Sequence, residues 1–171
     1  MVWERIPTEI WEQQDGHVKR YHMAGKLLKK GDTVIDAACG IGYGAKIMSE
    51  YADISYYGID RIDGISPEFL PYGWFTAADL DTWKPKIEFD IAVCFETLEH
   101  LKNPKQLASV LCKAKRAAIV SVPTVPTKHI NEFHLHDFTV DSLIDIFSLY
   151  KSVDVVEQPE ELSHIFTFYF S

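Results

Sequence analysis

Val34-Ile-Asp-Ala-Ala-Cys-Gly-Ile-Gly-Tyr-Gly44 is the stretch on which the fold reading turns. An apolar run reaches Asp36, and Gly40, Gly42 and Gly44 then predict a tight turn into a helix. Glycine permits that turn and lets a ligand approach the backbone. In open parallel sheets such a turn borders the crevice beyond the carboxyl ends of the strands, where ligands sit. By itself the pattern is equally that of a bare strand-to-helix turn.

Its surroundings sharpen the reading. The next apolar run ends in Gly58-Ile-Asp60, and the third in Ala77-Ala-Asp79-Leu80. A carboxylate after the second strand can accept both hydroxyls of a ribose. One after the third can accept an adenine amino hydrogen. Each acid alone reads as a strand-end turn residue, but two in succession beside this bend favour a nucleoside site.

Working outward, short β-branched or aromatic runs alternate with helical segments, the pattern of a parallel sheet flanked by helices. Strands are predicted at Thr33–Ala37, Ile54–Ile59, Trp74–Ala78, Asp90–Phe95, Ala117–Val122, Ser152–Glu157 and Ile165–Phe170. Helices are predicted at Asp15–Leu28, Tyr43–Tyr51, Pro104–Lys115 and Thr139–Leu149. Asn103-Pro104 reads as a cap followed by a first-turn proline. The Gln158–His164 connection is too short for a parallel crossover, so the last two strands should form an antiparallel hairpin. The crossovers at 61–73 and 79–88 are thin. They predict a partly uncovered sheet face that meets a partner or a second copy, unless Trp74, Phe75 and Trp83 fold over it.

Composition sets outer limits. The 171 residues suit one domain, expected to span 1–171, with residues 1–30 as a helical cover over the site. Seventeen Lys+Arg against 25 Asp+Glu give a net charge of −8, which argues against broad nucleic-acid or anionic-membrane binding. No apolar run approaches the roughly 20 residues of a membrane span. The start lacks a signal-peptide pattern, and Cys39, Cys94 and Cys112 lack metal-site spacing, so a reducing cytoplasm is expected. A lysine-rich, acid-free run over 101–131 reads as a solvated face, since its cations do not share one helix side.

The stretches VIDAACGIGYGA, YYGIDRID, AADL and FDIAVCFETLEHLKNP, with SVPT and NEFHLHDFT later, resemble class I S-adenosylmethionine-dependent methyltransferases. The resemblance runs from about Gln13 to the C-terminus. It implies an α/β Rossmann-like sheet of order 3-2-1-4-5-7-6 with strand 7 antiparallel, helices on both faces and some crossovers reduced. Asp36, Ala38, Gly40, Gly42 and Tyr43 would hold the amino-acid end of the cofactor. Asp60 would take the ribose hydroxyls, Arg61 would be a further cofactor contact, Asp79 and Leu80 would bracket adenine, and the Cys94 backbone would run near the methyl group. Arg20 and Tyr21 look like the segment that covers such a site. A nicotinamide domain is the rival, but it wants G-x-G-x-x-G and a second domain for substrate.

Methyl transfer needs little from the protein beyond alignment, exclusion of water and sometimes a base. Glu96, Glu99 and His100 stand at i, i+3 and i+4, so one helical turn would project them together. His134 and His136 follow the fifth strand. Glu96, Glu99, His100 and His134 are candidate ligands for Mg²⁺, Mn²⁺ or Zn²⁺. Without a metal, His100 or His134 is a candidate general base, or the histidines simply pack. The E-x-x-E-H pattern is similar to ubiquinone-pathway O-methyltransferases and to enzymes that 2′-O-methylate RNA 3′ ends. The expected activity is O-methylation of a small-molecule acceptor. The alternatives are a cofactor-binding subunit without its own catalysis and an RNA 3′-terminal methyltransferase.

Overall fold

The computed structural model describes residues 15–61 and 64–171. The first 14 residues of the expected N-terminal cover lie outside the described residues. Seven strands form one sheet: β1 (Thr33–Ala37), β2 (Ser55–Asp60), β3 (Trp74–Ala77), β4 (Ile91–Phe95), β5 (Ala117–Pro123), β6 (Ser152–Gln158) and β7 (Ser163–Tyr169). Their order is β3-β2-β1-β4-β5-β7-β6. β7 runs antiparallel to both neighbours, and the other pairs are parallel. This is the predicted topology. The hairpin is tighter than expected, because pairing continues to Gln158 opposite Ser163.

The sheet is covered on both faces. Helices α1 (Asp15–Gly25) and α2 (Tyr43–Ser49) bury Tyr21, Ala24, Ile47 and Met48 against one face. Helices α3 (Pro104–Leu111) and α4 (Val140–Ile144) bury Leu107, Leu111 and Leu143 against the other. β4 and β5 are buried throughout, which is why their sequences are continuous apolar runs rather than alternating ones.

All four helices stop short of their predicted ends. α1 ends at Gly25, where an added Cβ would lie 2.4 Å from the Tyr51 ring; Leu27 and Leu28 then close as i→i−3 turns. α4 starts on a capping box between Thr139 and Ser142, then gives way to turns at Ile146 and Phe147. The expected side-chain cap at Asn103 does not form. Its backbone N–H instead donates to Asp81 Oδ1 at 2.9 Å.

The thin crossovers are as expected: among the described residues only a 3₁₀ turn at Leu70–Tyr72 lies between β2 and β3, and no helix lies between β3 and β4. Phe75 leans over Gly42 and Gly58, and Trp83 packs on the core. Trp74 stacks on Tyr57 with ring centroids 5.0 Å apart, yet stays 60% exposed. Aromatic cover over this edge is therefore partial. Among the described residues no helix is long and apolar enough to cross a membrane.

Candidate active site

The bend after β1 differs from its predicted form in one respect. Its left-handed positions are Ala38 (φ 71°), Gly40 (φ 56°) and Gly42 (φ 97°), whereas Gly44 is an ordinary helical residue of α2. An alanine holds a conformation that favours glycine, at a cost on the order of 1 kcal/mol. Gly44 is needed for another reason: a Cβ there would lie 2.3 Å from the Tyr21 ring.

The bend is hooked to the end of β2. Ala38 and Cys39 N–H both donate to the Ile59 carbonyl, at 2.7 and 3.1 Å, and Gly40 N–H donates to Asp60 Oδ2 at 2.8 Å. Asp60 thus faces the bend, as the sequence reading requires. Ala38, Gly40 and Asp60 are half-buried and form an accessible rim. Arg61 and Asp79 continue it as an exposed ion pair at 3.9 Å. Leu80 and Cys94 are buried beneath, in one apolar cluster, and burial pushes the Cys94 thiol up.

Asp36 lies at the foot of this rim. Its Oδ2 accepts hydrogen bonds from the hydroxyls of Tyr56 and, at 2.9 Å, Tyr21. Its Oδ1 is buried with no hydrogen-bond partner among the described residues. Burial raises the carboxyl to about 7, against the two tyrosine hydroxyls, which favour the ionised form. An orphaned carboxylate oxygen beneath a glycine bend fits the ammonium group of an amino-acid ligand. Tyr43 is buried edge-on to Tyr21, with centroids 5.2 Å apart.

Arg20 and Tyr21, adjacent on α1, serve different partners. Tyr21 reaches Asp36, whereas the fully buried Arg20 turns to the end of β4 and the β6–β7 turn. Its Nε donates to Gln158 Oε1 at 2.8 Å; Nη1 lies 3.3 Å from Glu96 Oε1 and Nη2 4.0 Å from Glu161 Oε2.

Glu96 is the second departure. It adopts a left-handed backbone (φ 46°), its N–H donates to the Ser121 carbonyl, and its Oε2 accepts from Ser163 Oγ at 3.0 Å. Burial raises its carboxyl and the Arg20 charge opposes that rise. The helical turn expected from residue 96 is a 3₁₀ turn confined to Leu98–His100. Glu96 therefore sits apart from the candidate metal group, which comprises Glu99, His100 and His134, with one ligand atom from each lying within 4.8 Å of the others.

This cluster is assembled across 35 residues of chain. Leu135 and His136 N–H donate to the Glu99 carbonyl at 2.7 and 3.2 Å, drawing the loop after β5 onto the 3₁₀ turn. The His100 and His134 rings meet edge-on with centroids 4.6 Å apart. His100 Nδ1 lies 3.1 Å from the Phe133 carbonyl, and a carbonyl can only accept, so Nδ1 carries the proton. In the neutral ring Nε2 then holds a lone pair, and it lies 3.9 Å from Glu99 Oε1. His136 stays outside, with Nε2 on the Leu101 carbonyl at 2.9 Å.

Tyr56, Ser121 and Ser163 complete these contacts and had no signal in the sequence, because each is brought in from another strand. The lysine run also takes a shape periodicity does not reveal. Lys102, Lys105 and Lys128 line one open groove of about 720 Å³, together with Asp137 and Asp145.

The family profile described as a methyltransferase domain matches residues 10–157. No curated protein sequence matches the chain. In structure it is similar to a protein of Bacillus halodurans C-125 provisionally designated a methyltransferase (TM-score 0.73, 12% identity, 91% of this chain and 99% of that one). It is also similar to the methyltransferase-like subunit seen with the Haloferax volcanii Trm112 methyltransferase activator (0.70, 13%, 91% and 94%). A third is the 1,6-didemethyltoxoflavin-N1-methyltransferase of Burkholderia thailandensis, solved with bound 1,6-didemethyltoxoflavin and S-adenosylhomocysteine (0.69, 15%, 94% and 80%). With this profile match and this strand order, the chain belongs to the class I S-adenosylmethionine-dependent methyltransferases.

Proposed function

We propose that this methyltransferase acts on the hydroxyl of a small molecule, with a divalent cation held by Glu99, His100 and His134. The cofactor would lie along the rim formed by Ala38, Gly40, Asp60, Arg61 and Asp79. Asp36 beneath would answer its ammonium group and the Asp60 carboxylate its ribose. When bound, S-adenosylmethionine supplies a methyl group activated by its sulfonium charge, and the cation supplies Lewis acidity that favours an acceptor oxygen as its anion.

One observation carries the cation reading. His100 Nε2 lies 3.9 Å from the Glu99 carboxylate, and the His100 ring meets a second imidazole edge-on. Three electron-rich groups so arranged are stabilised by a positive charge between them. Two imidazoles and one carboxylate suit Mn²⁺ or Zn²⁺ better than Mg²⁺, which prefers oxygen ligands. The chain's own part is to fix the ligand geometry: the Phe133 carbonyl sets the His100 tautomer, and the Glu99 carbonyl holds the loop that carries His134. Arg20 holds Glu96 back from this group.

The test is metal content after dialysis against Mn²⁺ or Zn²⁺, for the wild type and for Glu99→Ala. About one equivalent is expected in the first and a marked loss in the second. Equal content in both would remove the cation. A screen of hydroxylated acceptors with and without chelator then tests oxygen methylation.

Exposed Leu70, Tyr72 and Trp74 at the β3 edge support a second proposal, a homodimer through that edge. The unpaired thiols of Cys39, Cys94 and Cys112 are in keeping with a cytoplasmic site of action.

A further inference from the structure

We propose that Thr127 is a positioning residue that holds His134 as its Nδ1–H tautomer and leaves Nε2 for Glu99 and His100. The inference rests on the cluster reading above and adds a residue that neither the sequence pattern nor the cluster itself identifies.

Thr127 Oγ1 lies 2.6 Å from His134 Nδ1, and the threonine is 6% exposed. That contact occupies Nδ1, so the nitrogen remaining for Glu99 and His100 is Nε2. A hydroxyl accepts as well as donates, so its orientation decides which ring nitrogen carries the proton. With Thr127 accepting, both histidines of the cluster are arranged alike. Each spends Nδ1–H on a fixed oxygen, the Phe133 carbonyl for His100 and Thr127 for His134, and each turns a lone pair inward. Ligating histidines are oriented in this way by the partner of their other nitrogen.

Thr127 is itself held by its backbone. Its N–H donates to Asp137 Oδ1 at 2.8 Å, and its carbonyl accepts from the N–H groups of Ile130 and Asn131, both at 2.9 Å. The His134 N–H returns to the Asn131 carbonyl at 3.2 Å, closing the loop. Two Thr127 backbone groups and its hydroxyl thus bind one loop, and the hydroxyl alone reaches the imidazole. The backbone bonds survive a side-chain change, so Thr127→Val removes the hydroxyl while keeping shape, and Thr127→Ser keeps the hydroxyl.

The experiment reads the tautomer and the cation separately. Long-range ¹H–¹⁵N spectra of metal-free protein, recorded above the usual histidine titration near pH 6.5, report which nitrogen of His134 is protonated. Calorimetry with Mn²⁺ alone reports affinity. In the wild type and Thr127→Ser, Nδ1 is expected to carry the proton and Mn²⁺ to bind within a few-fold of the same strength. In Thr127→Val the proton is expected to shift toward Nε2 and the affinity to fall about 10- to 100-fold. A wild type with Nε2 protonated, or a Thr127→Val protein unchanged in both readouts, overturns the proposal. If the wild type binds no Mn²⁺, the cation reading fails on its own, and the tautomer comparison still decides the role of Thr127.

Discussion

The two ends of the site are built by opposite means. At the proposed cofactor end, the bend, Asp36 and Asp60 come from two consecutive strands, and their partners, backbone groups for the bend and Asp60 and the Tyr21 and Tyr56 hydroxyls for Asp36, lie within about 20 residues of them. At the proposed acceptor end, Glu96, Glu99 and His100 depend on contacts between segments far apart in the chain, whereas His134 is held within its own loop by Thr127. Arg20 and Ser163 meet Glu96, and the Glu99 carbonyl accepts from the N–H groups of Leu135 and His136. The second end depends on pairing across the chain, because the buried Glu96 carboxylate is answered by Arg20 from α1 and Ser163 from β7.

That contrast is broken most severely at Arg20. Replacing it with Met leaves Glu96 and the nearby Glu161 without their buried cation, a loss on the order of 3–5 kcal/mol in chemical denaturation. Adding Glu96→Gln to Arg20→Met should recover part of it. A loss below about 1 kcal/mol would show that the ion pair is not the link between α1 and β4.

At the cofactor end the effect falls on binding. Asp60→Ala removes the acceptor of Gly40 N–H and the proposed ribose acceptor. Affinity for S-adenosylhomocysteine is expected to drop by about 1.5–3 kcal/mol in a calorimetric titration. Unchanged affinity would mean the nucleoside lies elsewhere.

The smallest effect sharpens the comparison through backbone alone. Ala38→Gly relieves a left-handed alanine and is expected to stabilise the protein by up to about 1 kcal/mol, read as a rise in melting temperature. A loss of stability would show that the Ala38 methyl packs favourably enough to outweigh its strain.

Much of the cofactor end was legible because it is local. Asp60 and the bend lie within about 20 residues of one another, and alternating strands and helices bring successive strand ends to one edge. Where that reading slipped, spacing had hidden backbone conformation: Ala38 rather than Gly44 takes the third left-handed position. At the acceptor end, the i, i+3, i+4 rule presumed a continuous helical turn from Glu96. The left-handed Glu96 breaks it, and a buried guanidinium from α1 draws that carboxylate away.

The sequence by itself determined the alternation of strands and helices, the closing hairpin and the acids at the ends of β1, β2 and β3, since apolar periodicity and loop length act over short stretches of chain, while the strand order followed from the family resemblance. Only the tertiary structure decided which charges pair in the interior. Burial makes an unanswered charge too costly to leave, and the partner that answers it, Arg20 for Glu96, comes from whichever distant segment the packing brings within about 4 Å.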